Sequence, residues 1–174
     1  MHDDRPAFIQ TPRLRLQTLN DIDAERVMDL LTNEQIGKTF MVPDFTEREQ
    51  SRRVFEALKK LSQNPGRFVY GIWLGDTLIG LLNDVEQTQE YVEIGFVIDP
   101  KYQNCGYATE ALSSALQSLF ALGWKCVKTG AFAENTASIR VMEKCEMVRL
   151  DEVTDIEYRE RNHRCVWFEK RTAQ

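Results

Sequence analysis

Between Glu93 and Leu122 the chain reads as a strand, a tight turn and a helix in unbroken succession. No other run constrains the fold as much. Glu93-Ile94-Gly95-Phe96-Val97-Ile98 has the β-branched and aromatic content of a strand and stops at Asp99-Pro100. From Gly106 to Leu122, Ala108, Ala111, Leu112, Ala115, Leu116, Leu119 and Phe120 recur at the spacing of one helix face, and Gly123 follows as a stop. Lys125–Phe132 then supplies the returning strand of a β-α-β crossover.

The rest of the chain fits around this unit. Alternation of Leu14 and Leu16 with Arg13, Arg15 and Gln17 predicts a first strand within Phe8–Leu19. Asn20 or Asp21 caps a helix carrying Ile22, Val27, Met28, Leu30 and Leu31. A second helix begins at Thr46, with Glu49 completing a capping box and Val54, Phe55, Leu58 and Leu61 as its apolar face. Phe68–Leu74 and Leu78–Val85 read as strands at hairpin spacing, followed by Tyr91–Ile98. A short helix spans Asn135–Cys145, and two strands close the chain at Met147–Ile156 and His163–Lys170. The expected fold is α/β, with a mixed, mostly antiparallel central sheet of about seven strands and one β-α-β crossover. One domain over residues 1–174 suits the length. Sustained βαβ alternation is missing, which excludes a doubly wound nucleotide fold.

Charge and cysteine usage narrow the function. A net charge of -5 argues against a nucleic-acid partner, because phosphate attraction needs a basic surface. No apolar run approaches the roughly 20 residues of a membrane span. The opening Met1-His2-Asp3-Asp4-Arg5-Pro6 has no signal core. These features predict a cytoplasmic protein without a membrane partner. Cys105, Cys126, Cys145 and Cys165 are dispersed, with no close pair, so they read as buried free thiols and not as metal ligands.

The turn Asp99–Ala108 has the makings of an anion site. A helix N-terminus presents unpaired N–H groups and the positive end of its dipole, and Gly106 lets the backbone come close to a ligand. An ordinary strand-to-helix turn would use the same residues. GxxxxGK[ST] and GxGxxG are both absent, so the spacing does not point to ATP, GTP, NAD or FAD.

This stretch resembles the cofactor motif Arg/Gln-x-x-Gly-x-Gly/Ala of the GNAT (acyl-CoA N-acyltransferase) superfamily, met here by Gln103, Gly106 and Ala108. Glu93-Ile94-Gly95-Phe96, Asp99-Pro100 and Gly106-Tyr107-Ala108-Thr109-Glu110-Ala111 resemble the branch containing the ribosomal-protein alanine N-acetyltransferases. Thr11-Pro12-Arg13-Leu14-Arg15-Leu16 is similar to that branch's opening strand, and the segment from Asn135 to Lys144 to its late helix. The resemblance implies that acetyl-CoA is the cosubstrate. Its diphosphate would lie on the turn from Gln103 through Asn104, Cys105, Gly106, Tyr107 and Ala108, with Thr109 nearby. Its pantetheine arm would lie along Phe96, Val97 and Ile98, where the sheet splays and Gly95 suits a bulge. Asn135 would contact the arm, or serve as a plain N-cap.

The implied reaction is direct attack of an amine on the thioester, with the CoA thiolate leaving. An alkyl amine with a pKa near ~10 is mostly protonated at neutral pH, so a base is needed. Glu93 is the candidate, its alternative being a solvent-facing or structural strand residue. Many family members place a Tyr seven residues after the late-helix Asn; Met142 stands there. The ribosomal-protein branch has instead a Ser three residues after that Asn, so the resemblance implies Ser138 as proton donor, its alternative being a helix-capping hydroxyl. Glu146 stands where the family has a capping Gly, a left-handed conformation that would cost Glu roughly 1 kcal/mol. Cys105 occupies a turn position often basic or small. The expected acceptor is a small-molecule amine or a protein N-terminal amine, with Phe40, Met41, Trp73 and Trp167 as pocket candidates or core residues. A monomer or homodimer is expected. The alternatives are a non-catalytic acyl-CoA-binding module, or a phosphate-binding structural domain, which explains the turn but not the other motifs.

Overall fold

The computed structural model describes residues 5–172; the polar opening 1–4 and the last two residues lie outside them. The strands are β1 (Phe8–Gln10), β2 (Leu14–Gln17), β3 (Val69–Leu74), β4 (Thr77–Gln87), β5 (Val92–Ile98), β6 (Cys126–Phe132), β7 (Val148–Tyr158) and β8 (Arg161–Arg171). The helices are α1 (Ala24–Leu31), α2 (Glu34–Gly37), α3 (Arg48–Gln63), α4 (Tyr107–Ala121) and α5 (Thr136–Lys144). The strands form one 8-stranded sheet in the order β1-β2-β3-β4-β5-β6-β8-β7. All neighbours are antiparallel except β5 and β6, the ends of the crossover through α4.

The sheet therefore has eight strands where the sequence suggested about seven. The single strand expected within Phe8–Leu19 folds back on itself, with Gln10 opposite Arg15. Pro12 presets the turn, and the Thr11 amide bonds the Leu14 carbonyl at 2.9 Å. Alternation is indifferent to a reversal of direction, so the period alone did not reveal the turn. Two helix starts also move. A short 3-10 turn, Asp21–Asp23, precedes α1 and leaves Ile22 exposed. Gln50, not Glu49, completes the box of α3, accepting from the Glu47 amide.

Helices cover both faces. On one, α4 and α5 press Leu112, Leu116, Leu119 and Met142 onto Tyr70, Ile94 and Phe168. On the other, α1, α2 and α3 pack Met28, Leu30, Ile36 and Phe55 against Trp73, Leu81 and Val97. No helix among the described residues is long and apolar enough to cross a membrane.

Where α5 ends, Glu146 adopts φ 58°, the left-handed cap that favours glycine. Its amide bonds the Glu143 carbonyl and that of Met147 bonds Met142, so the strained turn is hydrogen-bonded in full. The side chain itself offers only an exposed ion pair to Lys170. Glu146→Gly is predicted to stabilise the fold by about 1 kcal/mol. Thermal unfolding should show a rise of roughly 2–4 °C; a lower midpoint would mean the conformation carries no strain.

Candidate active site

The sheet opens between its two parallel strands. Cross-strand partners link β5 and β6 only at Val92–Val127 and Glu93–Lys128. Beyond Glu93 the β6-facing edge of β5 has no strand paired to it among the described residues. On its other side β5 stays paired with β4, but Val85 is inserted between Asp84 and Glu86 as a bulge. A bulge adds local twist. The irregularity expected at Gly95 thus lies on the neighbouring strand.

At the open end of this split, the chain turns from β5 into α4. Asn104 and Gly106 have φ 60° and 82°, and Gly106 is the N-cap. The first helical bond runs from the Glu110 amide to the Gly106 carbonyl. The backbone N–H groups of Asn104 through Thr109 have no hydrogen-bond partner among the described residues. Left-handed residues alternating with ordinary ones turn successive N–H groups into one concavity, and the α4 dipole adds its positive end.

Side chains from remote elements hold the turn. The Gln103 amide donates to the Ile98 carbonyl at 2.9 Å, so this side chain ties the turn to β5. Asp99 accepts from the Lys101 amide and from Arg26 of α1. The Arg13 guanidinium donates to the Cys105 carbonyl at 2.9 Å and to Glu110 at 2.7 Å. Thr11 donates to the same carboxylate at 2.6 Å. Burial pushes the Glu110 carboxyl up. The bonds from Thr11 and from the Arg13 amide and guanidinium outweigh it and bring it below its usual value.

A cavity of about 890 Å³ follows the split. Its walls hold Glu93, Phe96, Val97, Ile98, Gln103, Asn104, Gly106, Tyr107, Ala108, Thr109, Asn135 and Ser138. Cys105 is not on the wall; it is exposed, with its thiol against the Gln103 carbonyl. The other three cysteines are buried free thiols. A second depression, of about 470 Å³ and bordered by Arg5, Gln87 and Trp124, holds none of the candidate site residues read from the sequence.

Glu93 is half-buried, and its carboxylate makes no hydrogen bond to any described residue. Burial, with the Glu86 charge, pushes its carboxyl above the usual range against the pull of Lys128. Asn135 caps α5, accepting from the Ser138 amide at 3.2 Å. Its NH2 group donates to Ser138 Oγ at 3.0 Å, which leaves the hydroxyl proton free to point elsewhere.

The model of the acetyltransferase (GNAT) domain matches residues 13–148. The chain belongs to the GNAT acetyltransferase family. It is 28% identical over 142 residues to the uncharacterized N-acetyltransferase YoaA of Bacillus subtilis, covering 79% of this chain and 80% of that one. A GNAT-family acetyltransferase from Bacillus anthracis superposes with a TM-score of 0.81 at 25% identity, over 94% of this chain and 98% of that one. RimL, a ribosomal L7/L12 alpha-N-protein acetyltransferase solved with coenzyme A, superposes at 0.81 with 18% identity, over 94% and 97% of the two chains.

In this acetyltransferase Met142, at the family's tyrosine position, is fully buried in the core and not on the cavity wall. Of the pocket candidates, Phe40, Met41 and Trp167 line the cavity, whereas Trp73 is buried in the core under α1 and α3. Asn83, Val85, Thr129 and Ile156 complete that end and were not singled out from the sequence. Val85 stands out only in the structure, as an exposed apolar residue.

Proposed function

We propose that the enzyme transfers the acetyl group of acetyl-CoA to a primary amine, on a small molecule or a protein N-terminus, acting in the cytoplasm as a monomer or homodimer. The observation that carries this reading is the run of unpaired N–H groups from Asn104 to Thr109, opening on the same cavity as Glu93. A diphosphate needs several converging donors and no side chain in the way. The donors come from Asn104 through Thr109, and at φ 82° Gly106 holds a conformation that a side-chain-bearing residue rarely adopts, leaving no side chain at the N-cap. Arg140 and Lys144 of α5 add positive charge to the wall. The coenzyme A held by RimL supports the same ligand class. When bound, acetyl-CoA supplies the acetyl group as a thioester. Glu93 takes the proton that the acceptor ammonium must lose. The nitrogen loses a second proton as the amide forms, and Ser138, oriented by Asn135, takes it up as it passes its own hydroxyl proton to the departing sulfur.

The non-catalytic acyl-CoA-binding module shares this turn, and buried Met142 is the observation in its favour. Acetyl-CoA at a hundredfold excess over its Kd should stabilise the native state by about 2.7 kcal/mol. The midpoint should then rise by roughly 5–10 °C, with ATP and NAD giving no comparable rise. A response to ATP or NAD and none to acetyl-CoA would sink the proposal. Release of free CoA across a panel of amines and peptides separates enzyme from module.

A further inference from the structure

The two walls of the cavity on the face of α1, α2 and α3 come from opposite sides of the split. Phe40 and Met41 follow α2, and Ile156 and Trp167 belong to the β7–β8 hairpin. The segment 41–45 makes no backbone–backbone hydrogen bond with any described residue. Its polar ties run instead to the tip of the hairpin. The Tyr158 hydroxyl donates to the Gly37 carbonyl at 2.7 Å and lies 3.2 Å from the Val42 carbonyl. It also accepts from the Val42 amide at 3.4 Å. Arg159 pairs with Asp44 at 3.0 Å. The Tyr158 ring stands 5.9 Å from that of Phe132, a residue of the cavity wall on β6.

We infer that Tyr158 is a positioning residue for the acceptor: its hydroxyl bridges the split and holds Phe40 and Met41 where the amine must pass to reach Glu93. A phenol has one proton, and the Gly37 carbonyl is its nearest acceptor, so the bridge is one donated and one accepted bond. Tyr158 itself is not on the cavity wall, so it acts through the loop. The cofactor turn, held separately by Arg13, Gln103 and Asp99, does not depend on it. The acceptor role rests on the acetyl-transfer reading; the bridge does not.

Tyr158→Phe removes only the hydroxyl. Hydrogen exchange at residues 37–42 should quicken about tenfold, with the α4 amides unchanged. The thermal shift given by acetyl-CoA should persist. The amine probes are n-butylamine, spermidine and tetra-alanine amide. For whichever of them the wild type acetylates, KM should rise about five- to tenfold, while kcat and the KM for acetyl-CoA stay within about twofold. Unchanged exchange, or a loss confined to the KM for acetyl-CoA, overturns the inference. A wild type that acetylates none of the probes counts against the acetyl-transfer reading. Exchange alone then decides the bridge, upholding it if faster and overturning it if not.

Discussion

Replacing Glu93 by Gln is expected to slow acetyl transfer by about 10²–10⁴-fold at neutral pH, the range that loss of a general base produces. Gln keeps the shape and cannot take a proton. The cofactor turn is untouched, so acetyl-CoA should still raise the unfolding midpoint. Stability should move the other way from activity. Burial and the Glu86 charge raise the carboxyl in the folded state. A carboxyl raised on folding favours its protonated form, so its contribution is present below the unfolded value near ~4.3 and lost as pH rises through the folded value. At pH 7 the wild type therefore bears a half-buried carboxylate that the Gln variant lacks, and the variant should be at least as stable. The same rise predicts a wild-type rate that climbs with pH on a limb above the ordinary carboxylate range. Equal CoA release by wild type and variant, with the same acceptor, would show that Glu93 is not the base.

What was legible in this sequence was local. The strand, turn and helix from Glu93 to Leu122 could be read because spacing, a proline stop and a glycine stop at Gly123 all act within a few residues. The same held for the cap at Asn135, which the structure shows bonded to Ser138. The resemblance joined these pieces in order. The forces that hold the pieces together were not legible. Arg13 and Glu110 stand 97 positions apart and meet as an ion pair. Each alone reads as one more surface charge. Once paired, they tie the opening strand to the turn ahead of α4, with Arg13 also on the Cys105 carbonyl.

The end proposed for the acceptor was the least legible part, for a physical reason. Its wall is assembled across the split in the sheet, from α2, the following loop and a hairpin more than a hundred residues further on, with Tyr158 and Gly37 121 positions apart. Apolar residues at such positions look like core, and Trp73 is core. The bulge at Val85 depends on the register between two strands, which a single strand's alternation does not contain.

Arg26→Ala is expected to destabilise the fold by about 3 kcal/mol, because it leaves a buried carboxylate without its counter-ion. Asp99 has a side-chain exposure of only 4%, and Arg26 also bonds the Leu78 carbonyl at 2.8 Å, so the variant leaves the carboxylate with the Lys101 amide as its remaining hydrogen bond and frees a carbonyl as well. The unfolding midpoint should fall by roughly 6–12 °C. The pH dependence identifies the cause. Burial pushes the Asp99 carboxyl up. In the wild type the hydrogen bond from Arg26, the Lys101 amide and the charges of both cations outweigh it and hold the group below its ordinary value. A depressed folded value means stability that is present above the unfolded value near ~3.9 and lost as pH falls through the folded one. Without Arg26 the folded value rises, so the variant is penalised most at neutral pH and least in acid. The gap between wild type and variant should therefore be wide at pH 7 and narrow towards pH 4. Because Asp99 also caps the 3-10 turn Pro100–Tyr102 that leads into the Asn104–Thr109 amides, the acetyl-CoA shift should shrink as well. A gap of the same size at both pH values would mean that Arg26 acts through packing and not through its charge.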